Sequence, residues 1–149
     1  MRTRLFVLAA LVGALIAVGV ASADDGGRPF TTTLTGAAEI PGPGDPNASG
    51  AASIQLNQGQ GEVCFELSWA DVDGTVFASH IHVGSATVAG PVVVPLFVGQ
   101  SFSGTGSASS CVPADEELIK AIRQNPEGYY VNVHSDVFPA GAIRGQLGK

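Results

Sequence analysis

An all-β fold, an antiparallel Greek-key-like β-sandwich of about eight strands with one short helix near residues 114–124, is predicted by three features of the sequence. Short runs rich in β-branched and aromatic residues are separated throughout by clusters of Gly, Pro, Asn and Asp. Several of these runs alternate between apolar and polar residues, the period of a half-buried strand. A single stretch, "PADEELIKAIRQNP", carries the helical spacing of apolar residues instead.

The chain opens with Arg2 and Arg4, an apolar run from Leu5 to Ala21, and Ala21-Ser22-Ala23, the small-x-small pattern of a cleavage site. Residues 1–23 therefore read as a signal peptide, with an uncleaved membrane anchor as the alternative because the run is slightly long. Residues 24–29 read as a flexible leader and 30–149 as one domain, long enough to bury a core without help from cofactors. Of the seven basic residues, Arg2 and Arg4 lie in the signal, so five remain against thirteen acidic ones. A chain this acidic, with no basic cluster, is unsuited to nucleic acid or to anionic membranes, and no membrane contact is expected beyond the signal.

"FTTTLTG" reads as a first strand ending at Gly36. "EIPGPGDPNASG", with three prolines, is expected to be a surface loop, and Asn47-Ala48-Ser49 within it is a glycosylation sequon. "ASIQLN" and "EVCFELSW" flank Gln58-Gly59-Gln60-Gly61 as a hairpin. In the second arm Val63, Phe65, Leu67 and Trp69 face the core while Cys64 falls on the polar side. "ADVDGT" is a turn; Asp71 and Asp73 lack the further ligands of a calcium loop. "VFASHIHV", "PVVVPLFV" and the small-residue run "SFSGTGSASSCV" are the next strands. The helix has acids in its first turn, bases near its end and Leu118, Ile119 and Ile122 as its apolar stripe, and reads as a lid over the core. "GYYVNVHS" and "GAIRGQL" close the fold.

Two cysteines, Cys64 and Cys111, in an exported chain are expected to form a disulfide. In a strand, residues two apart share a face, so His80 and His82 project together. In "YYVNVHSD" the same alternation puts Tyr129, Val131 and Val133 on one face and Tyr130, Asn132, His134 and Asp136 on the other. Trp69 and Tyr129 are thus expected in the core and Tyr130 outside it. If the two strands are neighbours, the three histidines of the chain lie on one polar patch with Arg144 and Gln146 beside them.

The patch supports two readings. Three imidazoles with a fourth position free make a zinc or copper site, with a storage, scavenging or redox role. Alternatively His80 and His134 hydrogen-bond to backbone, Asn132 or Asp136 and pin their strands. Copper–zinc superoxide dismutase also carries an H-x-H on a β-sandwich, but its fuller ligand set is absent. Tyr130, Asn132, Asp136 and Arg144 are candidate binding residues, with Arg144 either recognising an anion or pairing with Asp136 or Glu66. No G-x-S-x-G elbow, P-loop or dinucleotide fingerprint is present.

"HIHVGSATVAGPVVVPLF" and, some forty residues on, "YYVNVHSDVFPAGAIRGQL" resemble the CHRD domain, the module named after chordin and found singly in bacterial secreted proteins. The likeness runs from "LTGAAEIP" to "IRGQL". The matching motif positions are His80, His82, Asn132, His134, Pro139, Arg144 and Gly145. Val83 departs from a commoner Gly, and Ala142 from a commoner acid that would stand near Arg144. The resemblance implies an extracellular β-rich module with no established catalytic residues. In chordin such domains belong to a protein that binds bone morphogenetic proteins, a partner that a lone module does not inherit. The expectation is a secreted, extracellular binding module, periplasmic in a two-membrane bacterium, for an unidentified protein or surface ligand. A three-histidine zinc or copper protein is the alternative.

Overall fold

The computed structural model describes residues 29–148. The signal peptide expected over 1–23, and the leader up to its last residue, lie outside the described residues. Eight strands form one hydrogen-bonded antiparallel sheet: β1 (Phe30–Thr35), β2 (Ser49–Asn57), β3 (Glu62–Ala70), β4 (Val76–Val83), β5 (Val92–Phe102), β6 (Gly106–Pro113), β7 (Tyr129–Ser135) and β8 (Ile143–Gln146). Their order is β5-β4-β7-β8-β1-β2-β3-β6. Two four-stranded halves meet at β8 and β1, where the register holds a single pair, Thr35 with Arg144. The sheet folds over at this seam, so Trp69 and Phe65 of β3 meet Phe97 of β5 across the core at 6.0 and 6.4 Å between centroids. The connections β3 to β4 and β5 to β6 cross between halves, which gives the sandwich its Greek-key character.

Strand β3 shows why the sequence was readable: Val63, Phe65, Leu67 and Trp69 are buried, while Glu66 and Ser68 between them are exposed. One boundary differs from expectation. β5 does not stop at Gly99 but bulges there (φ 67°) and continues to Phe102, because the Phe102 ring packs on Trp69 and Phe97. The turn falls at 103–105 instead. The helix α1 (Glu116–Gln124) is capped by the Asp115 carboxylate, which accepts from the Glu117 and Leu118 amides at 3.0 Å. Its Ile119 and Ile122 are fully buried in the core. The proline-rich loop is less superficial than expected: Glu39 and Asp45 are buried, and Asp45 accepts from the Asn47 and Asp73 amides. No helix among the described residues is long and apolar enough to cross a membrane.

Cys64 and Cys111 are bonded, directly opposite one another across β3 and β6. The bridge closes a separation of 47 residues. Loop-closure entropy then puts its contribution at about 4 kcal/mol as an upper figure. Urea unfolding with and without a dithiol reductant is expected to differ by up to about this amount. An unchanged midpoint would show that the β3–β6 ladder alone already restricts the unfolded chain.

Candidate metal centre

The polar patch is built by the register of three neighbouring strands. His80 stands opposite Asn132 and His82 opposite Tyr130 across β4–β7; Asn132 stands opposite Arg144 and Tyr130 opposite Gln146 across β7–β8. Residues paired in register share a face, so these side chains form one surface. His134 joins them, two residues beyond Asn132. A bulge at Phe77 shifts the register so that Ala78 faces His134, which leaves room for its ring beside His80 and His82. The ring centroids are 4.9 Å apart for His80–His134, 5.6 Å for His80–His82 and 6.3 Å for His82–His134.

This face is largely covered: His82 and His134 are buried and His80 is half-buried. The loop from Gly84 to Pro91 folds over it and is held by Arg144, whose Nη1 donates to Val88 O (3.1 Å) and Nη2 to Ser85 O (2.7 Å). Gln146 Nε2 donates to Gly84 O at 2.8 Å, and the Gly90 amide donates to the Tyr130 hydroxyl at 3.2 Å. Gly90 is required here, since a Cβ would collide with the Val83 carbonyl. Tyr130 is therefore buried at 3% exposure rather than facing outward, with the His82 ring stacked on it at 4.8 Å and the Arg144 guanidinium 3.4 Å over it. Asp136 does not join the site. It lies beyond the end of β7 and pins Thr75, whose amide donates to Oδ1 at 2.7 Å. Arg144, 1% exposed, pairs with neither Asp136 nor Glu66; its donors go to loop carbonyls and to Gln146 Oε1.

The expected loss of an acid near Arg144, through Ala142, is offset from the other end of the chain. Glu39, carried by the "LTGAAEIP" segment, is 4% exposed and lies close enough to Arg144 to feel its charge. Its carboxylate packs against Gly141, where any Cβ would collide with it. Sequence reasoning gave Glu39 no role; an acid after two alanines, ahead of a proline loop, carries no periodic signal of burial. Its removal from water raises its pKa to about 7, against the lowering effects of Arg144 and a backbone hydrogen bond from Ile40.

The histidine protons can be placed by what each ring faces. His82 Nδ1 lies 2.8 Å from Gly90 O and His134 Nδ1 lies 3.1 Å from Pro139 O. Carbonyl oxygens only accept, so both Nδ1 atoms carry the proton and both Nε2 atoms present lone pairs. His134 Nε2 is 3.0 Å from His80 Nδ1 and 3.0 Å from Asn132 Oδ1. His82 Nε2 is buried with no hydrogen-bond partner at all. One nitrogen from each ring lies within 4.8 Å of the others. Around a tetrahedral ion with bonds of about 2.0–2.1 Å, neighbouring ligand atoms stand roughly 3.3 Å apart, so small ring rotations convert this cluster into a coordination sphere.

Protonation would oppose such a sphere, and the site resists it. Burial, followed by repulsion from His134 and His82, lowers the His80 pKa to about 4. Burial also lowers that of His134, against the raising effect of the Pro139 carbonyl. A pH dependence of folding follows for the metal-free protein. His80 is neutral in the fold while the unfolded chain takes up a proton near pH 6.5, so its contribution is present above that pH and is lost on acidification towards pH 4. Glu39 acts in reverse: its raised pKa favours the fold at low pH, and that advantage is lost as the pH rises through 7. Glu39→Gln is expected to steepen the acid loss between pH 6.5 and 4.5. Above pH 8 it is expected to gain stability on the order of 3 kcal/mol. Denaturant midpoints across pH 4–9, with chelator present, check both; parallel profiles for the two proteins would refute the assignment.

A concavity of about 800 Å³ lies elsewhere, on the outer face of β1, β2, β3 and β6. Its lining is mostly Thr, Ser and Ala, with Glu66 as its one ionisable group. The convergence of three imidazole rings, and not this hollow, therefore marks the candidate site.

No curated protein and no solved structure matches the chain. A comparison with protein families matches the CHRD domain over residues 30–147, nearly the whole of the described sheet. With the histidine, asparagine and arginine positions of both long motifs gathered on one covered face of that sheet, the chain belongs to the CHRD domain family.

Proposed function

We propose that this CHRD domain is a secreted protein that holds one transition-metal ion, zinc or copper, at His80, His82 and His134. The observation that carries the reading is the buried, unpartnered Nε2 of His82, aimed at a cluster in which the other two imidazoles also present nitrogen. A buried polar atom without a partner costs about 1–3 kcal/mol, and a fold retains one where a ligand satisfies it. The backbone carbonyls of Gly90 and Pro139 fix two of the rings as outer-shell partners of metal-bound histidines do. Zinc and copper are the ions suited to imidazole donors. The signal-like segment 1–23 and the disulfide support export.

The test is metal analysis of untagged protein, followed by titration with zinc and with copper. One equivalent bound, and none in the His80→Ala/His82→Ala/His134→Ala variant, is the expected result. Protein that carries no metal and ignores both ions would sink the reading.

A second reading, docking of an extracellular partner, is favoured by Val83, Val88 and Val92, exposed by 37%, 48% and 46% around the covering loop. The same titration separates the two, because partner binding at this rim needs no metal.

A further inference from the structure

Resting on the metal reading, we infer that Asn132 closes the centre as its fourth ligand, through Oδ1, leaving no coordination position for an exogenous anion. Three observations converge on it. Asn132 is 2% exposed and stands between His80 and Arg144 in register, so its short side chain is buried on the face that carries the histidines. Its Oδ1 and the His80 Nδ1 lie at the same 3.0 Å from His134 Nε2, so a nitrogen and an oxygen flank one lone pair.

The proton count supplies the third. The His134 proton is on Nδ1, directed at Pro139 O, so no hydrogen lies between His134 Nε2 and Asn132 Oδ1. Two lone pairs 3.0 Å apart repel unless a positive charge sits between them. His80 Nδ1–H can satisfy Nε2 in the metal-free protein but gives Asn132 Oδ1 no hydrogen from His134 and leaves His82 Nε2 without a partner. A divalent ion satisfies all of them at once, once the His80 proton moves to its Nε2 and frees Nδ1. No carboxylate competes for the position: among the described residues the cluster contains histidines alone, Asp136 is engaged by Thr75, and Glu39 is packed on Gly141.

Three neutral nitrogens and one neutral oxygen make a closed sphere, which suits holding an ion rather than activating water or substrate on it, since catalytic sites keep a position open. The inference separates the storage or structural role of the site from a catalytic one.

Cobalt(II) is the probe, because its visible bands report coordination, and azide tests for an open position. The wild-type cobalt protein is expected to show four-coordinate bands that azide does not change. Asn132→Ala should lose at least about tenfold in cobalt affinity and gain an azide-dependent band. Asn132→Asp, which keeps an oxygen at the same reach, should again be indifferent to azide.

An azide-dependent band in the wild-type cobalt protein would by itself overturn the inference, whether or not the variants fold. An azide-silent Asn132→Ala with wild-type bands would also overturn it, reducing Asn132 to a hydrogen-bonding neighbour of His134. Failure of the wild-type protein to take up cobalt, zinc or copper would remove the metal reading itself and this inference with it.

Discussion

Zinc or copper at a hundredfold excess over its dissociation constant is expected to stabilise the fold by about 2.7 kcal/mol, because the ion binds three histidines brought together only in the native state. For a domain of this size that is a rise in Tm on the order of 10 °C. His82→Ala is expected to abolish the rise and to weaken binding by more than about 100-fold, beyond the range typical of losing an outer-shell partner. The variant removes a buried nitrogen that has no hydrogen-bond partner, but it also loses the bond from Nδ1 to Gly90 O and the stack on Tyr130, so some loss of stability is expected without metal as well. His134→Ala also loses the bond to Pro139 O and should be less stable even without metal. Thermal melts with chelator and with each ion, run on the same three proteins, check the contrast. A His82→Ala protein that keeps the wild-type metal shift would exclude His82 as a ligand.

Replacing Arg144 is expected to be the most destabilising single change, at about 3–5 kcal/mol for Arg144→Ala. The loss would take the guanidinium donors from the Val88 and Ser85 carbonyls, leaving Ser85 O only the Val88 amide, and would leave the Tyr130 face without its cation and Glu39 without the positive charge that lowers its pKa. Arg144→Lys should recover only part of this, because a single ammonium cannot span two carbonyls and lie flat on a ring. Denaturant unfolding gives the magnitude, and amide exchange over residues 84–91 gives the location. Unchanged exchange protection in that loop would show that Gln146 and Tyr130 hold it without Arg144. Since the loop carries Gly90, which fixes the His82 tautomer, Arg144→Ala is also expected to weaken metal binding without touching a ligand.

These effects rest on elements that were unequally legible in the sequence. The strands could be read because apolar residues alternate with polar ones, as in Val63 to Trp69, and the helix because its stripe and its acidic start agree. Alternation also put His80 and His82 on one face and Asn132 and His134 on one face, since that depends only on the two-residue period of a strand. Tyr130 was misread as exposed by the same rule. Alternation distinguishes two faces but does not say whether the second is covered, and here the 84–91 loop covers it.

The sequence by itself determined the class of fold, the pairing of its two cysteines, and which side chains point the same way along each strand, because all three follow from local periodicity and composition. Only the tertiary structure decided that β4, β7 and β8 are neighbours, that Glu39, in the segment following β1, supplies a buried acid near Arg144, and that three histidine nitrogens and Asn132 Oδ1 converge. Those facts depend on strand order and on register fixed by a bulge at Phe77, quantities set by the packing of the whole sheet rather than by any run of residues.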